Sequence, residues 1–207
     1  MKKAKVGGIY CRYIKRCLDL VFSLVLIFFL SLPMLVICVA IRSESSGGAV
    51  FKQMRRGRHG RIFVCYKFRT MYADAPKNIP AASFGDREKY VTRVGRFLRR
   101  TSLDELPQLF NVIKGDMSLV GPRPLIFEEG DIHQKRLQIG IYELRPGITG
   151  MAQVNGRNLL DNDAKLINDR YYLDNIKPAL DLKIVFLTLS KVWRREGVDL
   201  GKGNNFE

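Results

Sequence analysis

The chain has 207 residues, enough for one compact domain and a membrane element, and its apolar content of 46% is ordinary for a globular protein. Its formal charge of +15 is not ordinary and implies an anionic partner: nucleic acid, an acidic membrane surface or a phosphorylated substrate. The four cysteines form no CxxC motif and only two histidines are present, which argues against a disulfide framework or a Cys/His metal site and favours reduced thiols in a cytosolic setting.

The first predicted element is an apolar segment from Leu18 to Ile41, which carries a single charge, Asp19, at its start. As a helix this segment extends about 36 Å, which is enough to cross a hydrocarbon core of about 30 Å. It is too long for a cleaved signal peptide, and no small-residue cleavage site follows it.

The charges on either side of this segment are balanced, because residues 1–17 and residues 42–61 each carry six lysines or arginines. The positive-inside rule therefore places both ends in the cytoplasm, which one straight span does not satisfy. Pro33 removes a backbone donor past the middle of the segment, and Ser31 is placed to bond a freed carbonyl. The pattern favours a broken, re-entrant helix; the alternative is a plain transmembrane helix with a proline kink.

A connector rich in serine and glycine, residues 43–50, separates two predicted units. The first is a membrane-inserted unit over residues 1–42, and the second is a cytosolic, membrane-associated domain over residues 43–207. The second begins with two apolar clusters around a glycine-punctuated basic turn, which predict a β-hairpin with strands near 50–54 and 61–68.

Residues 73–90 contain two prolines and a glycine and predict a loop or a broken helix. Residues 92–101 predict a helix with an arginine stripe, which suits a solvated face or, beside a membrane, contact with phosphate headgroups. The stripe consists of Arg93, Arg96, Arg99 and Arg100. Ser102 then begins a capping-box pattern that closes on Glu105, and the helix that it opens is predicted to end near Gly115.

The C-terminal part contains three further predicted elements. Residues 118–124 predict a strand or an extended segment that leads into a rigid Pro-Arg-Pro corner, and the glycine-rich residues 142–158 predict a loop with short strands. Residues 180–195 predict a helix with one apolar face. That helix is either a core helix or a helix lying in the membrane plane, and Trp193 beside basic residues suits the second interpretation.

Two adjacent carboxylates, Asp104 and Glu105, lie in the first turn of the helix that follows the arginine stripe. The positive end of that helix favours their ionised forms and any phosphate bound nearby. Arg123, held between two prolines, follows them and suits bidentate phosphate binding. Mg²⁺ and a pyrophosphate would fit together at such a place. The pattern alone is not specific, because acidic residues in a first turn commonly act as caps.

Other candidate binding residues are basic or amide side chains. Lys67 and Arg69 alternate with aromatic residues on a predicted strand, a pattern that also suits single-stranded nucleic acid. Arg145 and Arg157, with Gln153 between them, offer further phosphate and polar recognition. Four aspartates in a polar stretch are expected to be solvated rather than metal-bound: Asp161, Asp163, Asp169 and Asp174.

Five stretches of this sequence together form a recognisable pattern: KRCLDLVFSLVLIFFLSLP, VFKQMRRGRHGRIFVCYKFRTM, TRVGRFLRRTSLDELPQLFNVIKGDMSLVGPRP, LRPGITGMAQVNGRN and YYLDNIKPALDLKIVFLTLSKV. In this order they resemble the small monotopic phosphoglycosyl transferases, the bacterial sugar transferase family that starts glycoconjugate assembly on polyprenyl phosphate. The resemblance covers nearly the whole chain after residue 12.

The resemblance implies an α+β, helix-rich fold with a re-entrant membrane helix broken at Ser31 and Pro33, interfacial amphipathic helices and a small β-hairpin. It implies that Asp104 is the catalytic nucleophile and that Glu105 is a catalytic Mg²⁺ ligand. It also implies that Arg123 and its neighbours hold phosphate and that residues 145–157 help to hold the nucleotide.

The resemblance further implies a UDP-sugar donor, a polyprenyl phosphate acceptor, Mg²⁺ as cofactor and no nucleic acid partner. Membrane lipids are expected partners at the cytoplasmic face of a bacterial inner membrane. Two residues depart from the family pattern. Leu32 separates Ser31 from Pro33, where the family usually has the pair adjacent, and Met151 stands where a tryptophan commonly follows GITG.

Two other functions remain as alternatives. A membrane-tethered binding protein for anionic lipids or nucleic acid would account for the charge and the anchor, but it has no use for the carboxylate pair. A Mg²⁺-dependent lipid phosphatase would use the pair and release inorganic phosphate.

Overall fold

The structure is a computed structural model, and it describes residues 8–76, 87–127, 130–156 and 160–194. This part of the chain is helix-rich, with seven α-helices and two small two-stranded sheets, which confirms the predicted α+β class. The helices are α1 Lys15–Glu44, α2 Arg93–Thr101, α3 Gln108–Lys114, α4 Gly130–Gln138, α5 Met151–Asn155, α6 Asn162–Asp174 and α7 Pro178–Arg194. The strands are β1 Val50–Arg56, β2 Ile62–Phe68, β3 Ser118–Val120 and β4 Gly147–Thr149.

The predicted hairpin is confirmed. Strands β1 and β2 pair antiparallel from Val50 opposite Phe68 to Arg56 opposite Ile62. The second sheet pairs β3 with β4 in parallel, and β4 and α5 together occupy the region that was predicted as a loop with short strands. The short helix α5 was not predicted, because five residues are too few to show a helical period.

The core has two main parts. One lies between β3, α5, α6 and α7 and contains Val120, Val154, Tyr172, Leu180 and Ile184. The other joins α1 to the hairpin and to α2 through Met34, Ile41, Phe68 and Leu98. Burying such a side chain contributes roughly 1.5–3 kcal/mol. The second half of the apolar helix is therefore packed against the domain that follows it.

Helix α1 belongs to the one segment of the described chain that is long and apolar enough to cross a membrane, Tyr10–Glu44. Most of its large apolar side chains are exposed, including Phe28 at 76% and Phe29 at 72%. The buried side chains form a stripe along one face: Asp19, Ser23, Met34 and Ile41. One face of α1 thus lies on the protein, and the remaining apolar surface is not covered by any of the residues that the structure describes.

Both ends of α1 are attached to the same domain. Near its start, Arg16 donates to the carbonyls of Val112 and Ile113 at the end of α3, at 2.6 and 3.0 Å. Asp19 accepts a hydrogen bond of 3.0 Å from the backbone amide of Leu119 in β3. At the other end, the Glu44 carboxylate caps the start of α2, where it accepts hydrogen bonds from the amides of residues 93 and 94.

The helix continues through Pro33 as a single element, so the structure does not confirm a break there, and the re-entrant path stays a prediction. Ser31 does bond a carbonyl, that of Phe28 at 2.9 Å. Pro33 frees the carbonyl of Phe29 instead, since the bond that it lacks would run to the residue four positions earlier. The hydroxyl of Ser31 therefore does not satisfy the acceptor that the proline leaves open.

The predicted C-terminal helix is confirmed as α7, and its apolar face is exposed. Leu180 and Ile184 are buried, whereas Phe186 is 71% and Trp193 89% exposed. A core role is therefore wrong for most of this face. The exposure agrees with the alternative of a helix at a membrane surface.

Candidate active site

The two adjacent carboxylates lie on a tight turn between α2 and α3. Helix α2 ends at Thr101. The next residue, Ser102, has a φ of 56° in the left-handed region, and a 3₁₀ turn over Leu103–Glu105 follows. A non-glycine residue with positive φ is uncommon and often marks a functional turn. This turn, which precedes the start of α3 at Gln108, presents Asp104 and Glu105 beside each other.

The predicted capping box between Ser102 and Glu105 is wrong. The side chain of Ser102 makes no capping hydrogen bond. Glu105 instead accepts from Lys67 Nζ at 2.7 Å and from both terminal nitrogens of Arg123 at 3.2 Å. All three bonds end on the single oxygen Oε1. Charge-assisted bonds to two cations are stronger than a bond to a backbone amide, so the carboxylate turns toward the cations.

Asp104 is half-buried beside this cluster, yet none of the hydrogen bonds or ion pairs among the described residues involves its carboxylate. Burial raises the pKa of Asp104, Lys67 opposes that effect, and the charge of Glu105 adds to it. A carboxylate that is held close to cations without a bonding partner retains lone pairs that are free to attack an electrophile.

The position of Asn111 explains how α3 is aligned with the hairpin. This buried side chain accepts from the amide of Tyr66 at 3.0 Å and donates to the carbonyl of Val64 at 2.7 Å. Its amide group thus pairs with β2 as a neighbouring strand would. Since Lys67 follows Tyr66 directly, the pairing brings Lys67 within reach of Glu105. An asparagine within a helix carries no such signal in the sequence, so its role was missed.

Arg99 is a second residue that the sequence interpretation missed. It was grouped with the arginine stripe, but its Nε donates to Thr70 Oγ1 at 2.9 Å, and its charge lowers the pKa of Asp104. Arg93, Arg96 and Arg100 are exposed. A step of one residue turns a helix by about 100°, so Arg99 lies off the face that carries Arg100. The helical spacing of the arginines was therefore the sequence signal that could have separated Arg99 from the exposed ones.

The structure brings four of the predicted site residues together: Asp104, Glu105, Lys67 and Arg123. Three others bind backbone groups elsewhere. Arg69 caps the C-terminal end of α1, where its guanidinium contacts the carbonyls of residues 41, 45 and 46. Roles of these three residues in substrate binding stay predictions.

Arg145 donates from Nε to the carbonyl of Gly115 at 3.0 Å, at the end of α3, and burial lowers its pKa. Gln153 is 5% exposed and donates to the carbonyl of Ile148 at 3.1 Å. Arg157 lies outside the described residues.

A Mg²⁺ site needs more oxygen ligands than these two carboxylates offer. In the described part of the chain, no group of three or more His, Cys, Asp or Glu residues is placed to hold a metal ion. Mg²⁺ in phosphate-handling sites is usually held by one or two carboxylates together with water and substrate phosphates. Asp104 and Glu105 fit that donor set. The carboxylates of Asp104 and Glu105 are the candidate ligands.

The fold combines an apolar helix, α1, that is exposed over most of its surface with a site in which two carboxylates lie beside basic side chains. Basic side chains of this kind commonly bind phosphate. A family model described as bacterial sugar transferase matches residues 10–195. The chain belongs to the bacterial sugar transferase family.

Three relatives illustrate the similarity. An uncharacterized sugar transferase of Bacillus subtilis (strain 168), EpsL, is 41% identical over 185 residues, which cover 89% of this chain and 90% of the relative. An undecaprenyl-phosphate galactose phosphotransferase of Salmonella typhimurium is 38% identical, over 90% of this chain and 42% of the relative. A UDP-N-acetylgalactosamine-undecaprenyl-phosphate N-acetylgalactosaminephosphotransferase of Aeromonas hydrophila is 40% identical, over 87% of this chain and 44% of the relative. The chain thus spans less than half the length of the second and third relatives.

Proposed function

We propose that this chain transfers a sugar 1-phosphate from a UDP-sugar to polyprenyl phosphate, in particular undecaprenyl phosphate, and releases UMP. This would be the first membrane step of a glycoconjugate pathway. The observation that carries the proposal is the Asp104 carboxylate, which has no bonding partner among the described residues and lies beside Glu105, Lys67 and Arg123. The names of two relatives, which act on undecaprenyl phosphate, support the acceptor.

In the proposed reaction, an oxygen of Asp104 attacks the phosphorus that bears the sugar. The new bond is an acyl phosphate, and the phosphoanhydride bond to UMP breaks, so UMP leaves with the bonding electron pair. An oxygen of the lipid phosphate then attacks the same phosphorus and releases the carboxylate. One phosphoanhydride is exchanged for another, so the reaction needs no further energy source.

Lys67 and Arg123 supply positive charge where the donor diphosphate would lie. Both already hold Glu105 in place, which keeps the two cations close together before substrate binds. A bound Mg²⁺, with Glu105 as its proposed ligand, would neutralise further charge on the diphosphate. Arg99 is close enough to affect the pKa of Asp104 and therefore adds to the field that a phosphate would meet.

We further propose that α1 enters the membrane from the cytoplasmic side and that both its ends stay at that side. At about 1.5 Å per residue, Asp19 and Ile41 lie about 33 Å apart along a straight helix, a distance similar to the hydrocarbon core. Yet contacts at both ends lead to one domain, through Leu119 and through the start of α2. A domain on one face of a bilayer contacts both ends only if both ends lie at that face.

Cysteine labelling tests this topology. In a variant without its four native cysteines, Gly8→Cys and Ser46→Cys place single thiols before and after α1. We expect a membrane-impermeant maleimide to label both positions in inverted membrane vesicles and neither in intact cells. Labelling of the two positions from opposite sides would show a plain transmembrane helix instead.

The raised pKa of Asp104 predicts the acid side of the pH–rate profile. The attacking form is the carboxylate, so activity should be lost as the pH is lowered. The midpoint of that loss should lie above the ordinary aspartate pKa of about 3.9. Lys67→Met removes a charge that lowers this pKa, so its acid limb should move to higher pH. Lys183→Met, an exposed lysine of α7, is the control, and its profile should match the wild type. An unmoved limb in Lys67→Met would argue against Asp104 as the titrating group.

Release of UMP from a UDP-sugar decides between the proposed function and its alternatives. The purified protein, reconstituted with undecaprenyl phosphate and Mg²⁺, should release labelled UMP and form a lipid-linked sugar diphosphate. Without acceptor, a stoichiometric labelled phosphosugar adduct should form on the protein. Inorganic phosphate as the product would indicate a lipid phosphatase. Binding without any product would indicate a tethered binding protein.

A further inference from the structure

The segment that carries Arg123 is held almost entirely through its carbonyl groups. Prolines at positions 122 and 124 remove two of its amide donors, so the carbonyl side must provide the anchoring. Each carbonyl of residues 122–126 accepts a hydrogen bond from another part of the fold. In order, the donors are Gly147 N at 2.9 Å, an Arg136 terminal nitrogen at 2.8 Å, an Arg55 terminal nitrogen at 2.7 Å, Arg56 N at 3.2 Å and His133 Nε2 at 2.8 Å.

The bond to the carbonyl of Arg123 itself comes from a buried ion pair. Arg136 of α4 is 2% exposed, and its other terminal nitrogen donates to Oδ2 of Asp169 of α6, which is 1% exposed. The sequence interpretation placed Asp169 among solvated aspartates, and that prediction is wrong. Its partner lies 33 residues earlier in the chain, on a different helix.

This ion pair is a costly way to join two helices. Removing two charges from water costs several kcal/mol per ion, and apolar replacements of similar volume are often as stable or more stable. Burial raises the pKa of Asp169, and the charge of Arg136 opposes that effect. In addition, Nε of Arg136 is buried with no hydrogen-bond partner in the described part of the chain. What an apolar pair would not provide is the hydrogen bond to the Arg123 carbonyl.

We propose that Arg136 and Asp169 are positioning residues, which hold the backbone of Arg123 so that its guanidinium faces Glu105 and the donor diphosphate. The proposal rests on the proposed function, because it assumes that Arg123 binds phosphate. The contacts from Arg123 to Glu105 are 3.2 Å long, so a backbone shift of about 1 Å would break them. A misplacement of about 1 Å can cost an enzyme about 100-fold in rate.

A double-mutant cycle tests whether Arg136 acts through Arg123. The four proteins are the wild type, Arg136→Met, Arg123→Ala and the double variant, each measured for UDP binding by calorimetry in Mg²⁺ and for KM and kcat of UMP release. We expect Arg136→Met to weaken UDP binding about 10-fold in the wild-type background and less than about 2-fold in the Arg123→Ala background. If Arg136→Met acted only by destabilising the fold, the loss of UDP affinity would be equal in the two backgrounds.

Two further variants separate position from stability. Arg136→Lys keeps the charge opposite Asp169 but loses the planar fork that reaches both partners. It should recover most of the melting temperature lost in Arg136→Met without recovering UDP affinity. Leu173→Ala, a buried residue one turn from Asp169 on α6, should lower the melting temperature and leave UDP affinity unchanged in both backgrounds. Should Arg136→Met not fold, the near-isosteric Asp169→Asn takes its place in the cycle.

The outcomes distinguish this proposal from the proposed function. Equal losses of UDP affinity in both backgrounds overturn the positioning role, even if UMP is released normally. Non-additive losses in a protein that releases no UMP support the positioning role and contradict the transfer reaction. A wild-type protein that does not bind UDP contradicts both.

Discussion

Replacing Asp104 with asparagine should lower UMP release by about 10⁴-fold or more, since an amide of the same shape cannot form the acyl phosphate. UDP-sugar binding should persist, because Lys67, Glu105 and Arg123 remain. The labelled phosphosugar adduct that the wild type forms without acceptor should be absent by intact-protein mass spectrometry. Asp174→Asn removes an exposed carboxylate paired with Arg170 and should behave as the wild type. Ordinary turnover by Asp104→Asn would refute the assignment of the nucleophile.

The same substitution should stabilise the protein at neutral pH. A carboxyl whose pKa is raised on folding contributes stability that is fully present below its unfolded pKa and is lost as pH rises through the folded pKa. At pH 7 the ionised Asp104 is therefore unfavourable for folding, and a neutral asparagine removes the cost. The melting temperature of Asp104→Asn should exceed that of the wild type at pH 7, and the difference should vanish below about pH 4.

Replacing the neighbouring carboxylate should have the opposite effect on stability. Oε1 of Glu105 is the common acceptor for Lys67 and Arg123, so Glu105→Gln leaves two close cations without the charged carboxylate that bonds both. We expect a lower melting temperature at pH 7, in contrast to the increase expected for Asp104→Asn. The two adjacent residues are chemically alike, and their contacts alone decide the sign.

Glu105→Gln should also weaken the dependence on Mg²⁺. If Glu105 is a ligand, the Mg²⁺ concentration for half-maximal activity should rise by about 10-fold or more, and kcat/KM at saturating Mg²⁺ should fall by about 100-fold. Glu143→Gln, at an exposed glutamate beside His59, is the matched control and should leave the Mg²⁺ titration unchanged. An unchanged titration in Glu105→Gln would remove this residue from the metal site and leave Asp104 as the remaining carboxylate.

Local patterns predicted most elements that surround the site. Alternating apolar residues around a glycine-rich turn predicted β1 and β2, and Gly115 correctly marked the end of α3, where its φ is 92°. The apolar face of α7 was also identified, although not whether that face is buried or exposed. These features depend on neighbours within a few residues, so the sequence displays them directly.

Helices α4 and α6 were not predicted, because their apolar and polar residues do not separate into clear faces. Each nevertheless carries one member of the buried ion pair, Arg136 and Asp169, that bonds the carbonyl of Arg123. A charged residue in a polar helix predicts a solvated face, and the neighbouring residues in the sequence do not show that its ion-pair partner lies on another helix. The same reason explains why the backbone contacts of Arg69, Arg145 and Gln153 were not predicted, while a role of these residues in substrate binding stays a prediction.

By itself, the sequence determined that this chain has an apolar anchor with equal positive charge on both flanks and a carboxylate pair at the start of a helix near a Pro-Arg-Pro corner. Only the tertiary structure decided that Lys67 and Arg123 both bind Glu105, that Asp104 is left without a partner among the described residues, and that both ends of α1 reach one domain. The physical reason is the distance along the sequence over which each interaction acts. Periodicity and capping act over a few residues, whereas the charges that distinguish Asp104 from Glu105 come from residues that only packing brings together.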